Sequence, residues 1–145
     1  MLNFFVNFLF LPLAFAAALS SAGHASVSSL RVVDALVARD VLARQPVGPG
    51  DNFPADVGTL VCWSKVFSRT VPIKLIHVWY YKGKETGRTV LDIKSSKWRG
   101  WSRKTIRPEQ TGAWKVELCD VMGTVLQSVA FNVAGEAPSE TQSNP

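Results

Sequence analysis

"IKLIHVWYYKGKETGRTVLDIK" (residues 73–94) sets two runs rich in β-branched and aromatic residues on either side of a polar, glycine-containing break. In the first run Leu75, His77, Trp79 and Tyr81 share one phase of a two-residue period. The pattern predicts a strand over 73–81, a hairpin loop over 82–87 and a returning strand over 88–94. The same punctuation continues in both directions. Upstream, "TLVCWSKVF" (59–67) reads as a strand separated from the first run by "SRTVP", and "VGPGDNFPADVG" (47–58) as a long loop. Before it, "SLRVVDALVARDVLARQPV" (29–47) has mixed periodicity, but its β-branched content and Pro46 favour a strand pair over a helix.

Downstream, "RPEQTG" (107–112) turns the chain into "AWKVELCD", and "VMG" separates that strand from "TVLQSVAFNV" (124–133). In "AWKVELC" the apolar set is Trp114, Val116 and Leu118, so Trp114 is expected in the core. Short strands spaced by turn signals, with no long helix and no internal repeat, predict an all-β protein. The expected form is a single-domain antiparallel β-sandwich of the immunoglobulin-like kind, with about seven or eight strands over residues 26–134. The tail "GEAPSETQSNP" (135–145) has no apolar periodicity and reads as disordered.

The amino terminus reads as an address label. "FFVNFLFLPLAFAAAL" (4–19) is an apolar run interrupted by Pro12, shorter than the ~20 residues of a membrane span. Gly23 and Ala25 fit a signal-peptidase site before Ser26, which makes residues 1–25 a signal peptide and the protein periplasmic or secreted. The label has no Lys or Arg ahead of its apolar run, and the alternative is an uncleaved anchor in the inner membrane. Once the label is removed, no transmembrane span is expected.

The formal net charge of +5 is concentrated in one place. Lys94, Lys97, Arg99, Arg103, Lys104 and Arg107 follow one another with no acid between them, and two tryptophans, Trp98 and Trp101, lie among them. With those six set aside, the remaining basic residues nearly balance the 11 acidic ones.

Cys62, Trp79 and Cys119 occur in the order of an immunoglobulin domain, and an oxidising compartment would permit a disulfide. Phase argues against it. Cys62 shares its face with Leu60 and Val66, whereas Cys119 falls opposite Trp114, Val116 and Leu118. A β-bulge would bring it back into phase.

Catalysis finds little support. His77 is the single histidine beyond the label and sits mid-strand, which fits a hydrogen-bonded structural residue better than a general base. No carboxylate pair or nucleophile elbow is present, and a metal site would have to draw on ligands from different faces. The expectation is a non-enzyme with no cofactor.

Four ordered motifs add a resemblance. They are Cys62-Trp63-Ser64, His77-Val78-Trp79-Tyr80-Tyr81, Trp98-Arg99-Gly100-Trp101-Ser102-Arg103-Lys104 and Gly112-Ala113-Trp114-Lys115-Val116. Together they make roughly residues 30–133 similar to the uncharacterised bacterial domain family DUF2914. The resemblance implies domain limits and carries no activity.

The basic aromatic segment leaves two readings open. In a flat strand Trp98 and Trp101 point to opposite faces, and one of them covers the core. Gly100 hints instead at a bulge that puts both rings on one side. In that case Trp98, Arg99, Trp101, Ser102, Arg103 and Lys104 form a recognition surface, extended by His77, Trp79 and Tyr81 if their strand lies alongside. The partner would be an envelope glycan, a lipid headgroup or an acidic protein segment, and export argues against nucleic acid. The alternative function is a structural or assembly domain whose aromatics are core and whose strand edge pairs with another protein.

Overall fold

The computed structural model describes residues 28–135. Nine strands form: β1 (Leu30–Leu42), β2 (Gln45–Pro49), β3 (Asn52–Pro54), β4 (Thr59–Ser68), β5 (Ile73–Tyr81), β6 (Lys84–Ile93), β7 (Lys97–Thr105), β8 (Gly112–Cys119) and β9 (Val125–Ala134). They build two sheets, β2-β1-β4-β7 and β3-β9-β8-β5-β6, packed as a sandwich. The all-β, single-domain sandwich expected from the strand pattern is what forms. No helix among the described residues is long and apolar enough to cross a membrane. The predicted signal peptide, and all of the predicted tail but Gly135, lie outside the described residues.

The core is drawn from one phase of each central strand. Leu60, Cys62 and Val66 of β4 meet Leu75 and Trp79 of β5, Trp114, Val116 and Leu118 of β8, and Phe131 and Val133 of β9. Trp114 is 2 % exposed, lies nearly parallel to Phe131 at 5.9 Å between ring centroids, and donates its indole N–H to the carbonyl of Gln110. Cys62 belongs to this core, while Cys119 lies on the outer face of its sheet beside Ile76, Val78 and Tyr80. Both are free thiols, as their phases require. Burial pushes the Cys62 thiol up to about 12.

Two readings of turn sequence are corrected. The loop predicted over 82–87 shrinks to Lys82 and Gly83, because both adopt left-handed backbone (φ 48° and 78°) and close a two-residue hairpin with Tyr81 opposite Lys84. The strand therefore starts at Lys84, with a register shift between Trp79 and Tyr80 that takes up the mismatch. The loop predicted over 47–58 contains the end of β2 and all of β3. That three-residue strand pairs parallel to β9 because its central Phe53 anchors edge-on against Phe131, 5.9 Å between centroids. Prolines and glycines around it mask so short an element.

β7 and β6 are edge strands of opposite sheets and lie side by side along one flank. Gly100 permits this approach: a Cβ there would sit 3.2 Å from Cδ1 of Leu91 in β6.

Candidate functional site

β7 pairs with β4 in unbroken register from Thr59–Thr105 to Phe67–Lys97. No bulge forms at Gly100, so alternate residues of the basic segment go to opposite faces. Trp98, Gly100, Ser102 and Lys104 belong to the inward set with Val66, Ser64, Cys62 and Leu60, while Lys97, Arg99, Trp101 and Arg103 point outward beside Phe67, Lys65, Trp63 and Val61. The strand both covers the core and presents charge.

The inward set builds a polar link between the sheets. His77 is 0 % exposed, its Nδ1 lies 2.9 Å from Ser102 Oγ and its Nε2 lies 3.3 Å from Ser64 Oγ. Trp79 Nε1–H donates to Ser102 Oγ at 3.0 Å, and Ser64 Oγ–H donates to the carbonyl of Gly100 at 3.1 Å. These end groups fix the hydrogens between them. Ser64 spends its proton on a carbonyl, so it accepts from His77 Nε2–H; Ser102 accepts from an indole, so it donates to His77 Nδ1. The imidazole is neutral, with its proton on Nε2. Burial holds its pKa down at about 4. This arrangement removes His77, Trp79 and Ser102 from any recognition surface: β5 lies in the opposite sheet, and all three side chains are enclosed. Tyr81 is half-buried and committed to the carbonyl of Thr111.

Two more members of the expected surface are tied into the fold. Lys104 reaches across the flank and donates to the carbonyl of Thr86. Arg103 pairs with Asp40 at 2.9 Å. Asp40 is held below the usual carboxylate range by the Val41 backbone N–H and by that arginine.

Charge gathers instead at the other end of β7. A surface cavity of about 360 Å³ is lined by Arg44, Lys65, Lys97, Trp98 and Arg99, with no carboxylate among them. Among the described residues none of these four cations makes an ion pair. A second, shallow cavity of about 290 Å³ shares Arg44, Trp98 and Arg99 and adds Val90, Leu91, Asp92, Gly100 and Trp101. Trp98, at the rim of the sandwich, divides the two.

Arg44 is aimed at this rim by its turn. Ala43 and Arg44 are the central residues of the β1–β2 hairpin and both are left-handed (φ 50° and 62°), a conformation that non-glycine residues adopt at a cost. Trp63 Nε1–H donates to the Arg44 carbonyl at 3.0 Å, which pins the turn. The guanidinium lies 5.5 Å from the Trp98 ring centroid and donates to the carbonyl of Arg99.

The chain's likeness to known proteins spans β5 to β9. Residues 72–133 match the family model described as "Protein of unknown function (DUF2914)". That stretch is similar to the DUF2914 family. It takes in a little under half of the chain and runs from the residue before β5 to the penultimate residue of β9. Three of the four motifs lie inside the DUF2914 match; Cys62-Trp63-Ser64 lies before its start. No curated protein matches the chain.

The cationic cavity therefore combines Lys97, Trp98 and Arg99 from within the DUF2914 match with Arg44 and Lys65 from outside it. Sequence reasoning missed the latter two as site residues. Lys65 had a signal, since it lies on the outward phase of β4 between Trp63 and Phe67. Arg44 had none, because its place depends on how a distant hairpin folds over the sheet.

Proposed function

We propose that this domain is a non-catalytic, exported binding module of the cell envelope that takes an anionic ligand at the basic aromatic end of β7. The ligand is an acidic glycan, a lipid headgroup or an acidic protein segment. The cavity formed by Arg44, Lys65, Lys97 and Arg99 around Trp98 carries this reading. Four like charges converging without a counter-ion repel one another, and an anion relieves that repulsion. A bidentate guanidinium contact would add direction.

Both nitrogens of His77, the single histidine among the described residues, are engaged inside the core, which leaves it no role as a base toward a substrate. Export rests on the apolar run and the small residues before Ser26. Assembly through the edge of β7 is the weaker reading, since Arg44 already occupies the carbonyl of Arg99 that an added strand would use.

The test is retention on an immobilised sulfated polysaccharide under a salt gradient. The triple variant Lys65→Gln, Lys97→Gln, Arg99→Gln should elute at markedly lower salt than a charge-matched control, Arg39→Gln, Lys84→Gln, Lys94→Gln. Equal elution of the two would reduce the cluster to ordinary surface charge.

A further inference from the structure

Resting on the anion-binding reading, we infer that the ligand is an acidic glycan: a sugar bearing a carboxylate or phosphate among the four cations, with its ring laid in the adjoining shallow cavity against Trp98 and Trp101. The two cavities adjoin across the Trp98 rim and share Arg44, Trp98 and Arg99, so a ligand lying over that rim reaches both. Their chemistry differs in the way a charged sugar differs from end to end. Apart from Trp98, the cationic cavity is lined by positive side chains alone. The second is lined by two tryptophans, by Val90 and Leu91, and by Asp92, whose Oδ1 is paired with Lys74. A pyranose ring has apolar C–H faces that lie on aromatic rings and hydroxyls that need acceptors, and this lining supplies both.

The competing occupants fit less well. An acyl chain gains about 0.8 kcal/mol per CH₂ only where that group leaves water, and Val90 in the lining remains 51 % exposed. An extended acidic peptide would bind by adding a strand to β7, whose Arg99 carbonyl is taken by Arg44. The turn that presents Arg44 points the same way. Two successive non-glycine residues in left-handed backbone are kept at a hairpin tip, and strain of this kind gathers at ligand sites.

Calorimetric titration of the exported protein separates the possibilities. The probes are an oligogalacturonate, a phosphomannan oligosaccharide, a neutral galacto-oligosaccharide of matched length, poly-glutamate and phosphatidylglycerol vesicles. At least one acidic oligosaccharide should bind, and the neutral one should bind at least about tenfold more weakly. Trp101→Leu should weaken acidic oligosaccharide binding by roughly five- to tenfold, with recovery in Trp101→Phe, and leave any poly-glutamate binding unchanged. Arg99→Gln should weaken every anion. If poly-glutamate or the vesicles bind as tightly as the acidic sugars, or Trp101→Leu has no effect, the glycan assignment is overturned and the anion site stands. If none of the four anionic probes binds at physiological salt, both fall. Melting temperatures close to wild type show that each variant is folded.

Discussion

His77 Nδ1 accepts a hydrogen bond from Ser102 Oγ across the gap between the two sheets, one of four links in a chain that runs from the Trp79 indole to the Gly100 carbonyl. Every donor in that chain has one acceptor, and the imidazole has no spare site for a second proton. Protonating it would place a charge inside the core and turn Nδ1 from acceptor to donor against an oxygen that already accepts from Trp79.

Stability should therefore fall with acid in a defined window. The folded pKa of about 4 lies below the ordinary 6.5, so the unfolded chain binds the proton first and the native state loses ground as pH drops from about 6.5 towards 4. The full loss is about 3 kcal/mol. Asp40 and Asp92 are held below the ordinary 3.8 by hydrogen-bonding and charged neighbours, so they titrate beneath this window, and Glu85 is held low by Arg88. Urea unfolding at pH 7, 5.5 and 4.5 would read the loss, and His77→Gln, which keeps one donor and one acceptor, should flatten the curve. A wild-type curve already flat between pH 7 and 4.5 would contradict the buried neutral imidazole. Nitrogen-15 shifts should show the proton on Nε2.

The two serines should not be equivalent. Ser102→Ala strands both the Trp79 indole N–H and His77 Nδ1, whereas Ser64→Ala strands His77 Nε2–H and removes one bond to a carbonyl. Leaving a buried polar group without a partner costs about 1–3 kcal/mol. Ser102→Ala should then cost about 2–4 kcal/mol and exceed Ser64→Ala by about 1 kcal/mol. The reverse order in urea unfolding would mean that the chain runs the other way.

How far the sequence revealed these features depends on whether one strand or two were needed to see them. The phase of β5 put His77 with Leu75 and Trp79, and the phase of β8 put Trp114 inward and Cys119 outward; each follows from a single period-two run. Trp98 and Trp101 on opposite faces also follow from one strand, and the bulge hinted at by Gly100 does not form because that glycine serves Leu91 of a neighbouring sheet instead. Ser64 and Ser102 meet His77 only through the packing of two sheets, and Lys65 joins Arg99 only through register. β3 was hidden because one buried phenylalanine between breakers has no period to read.

The strained turn predicts a conflict between stability and binding. Replacing Ala43-Arg44 with Asn-Gly suits the two left-handed positions, so the double variant should be more stable by about 1 kcal/mol. It removes the guanidinium over Trp98, so anion affinity should drop by about tenfold. A variant that is stabilised and still binds fully would show that Arg44 does not contact the ligand.

Trp114 is the packing centre of its sheet, with a parallel ring on one side and Tyr81 4.8 Å away on the other. Trp114→Ala should cost about 3–5 kcal/mol in urea unfolding. A cost under about 1 kcal/mol would mean the ring is dispensable.

The proposed export predicts a new amino terminus. Mass spectrometry of the periplasmic or secreted protein should find the chain beginning near Ser26, and recovery of intact Met1 in the membrane fraction would replace the signal with an anchor.

The alternation of β7 has a consequence for how such a domain can diversify. Gly100, Ser102 and Lys104 answer to the interior and to the neighbouring strands, Lys97, Arg99 and Trp101 to whatever lies outside, and Trp98 at the rim to both. On the proposed function, a single substitution at an outward position retunes ligand preference without disturbing the buried hydrogen-bond chain. On that reading one short strand gives mutation two dials, one for folding and one for recognition, interleaved along its length.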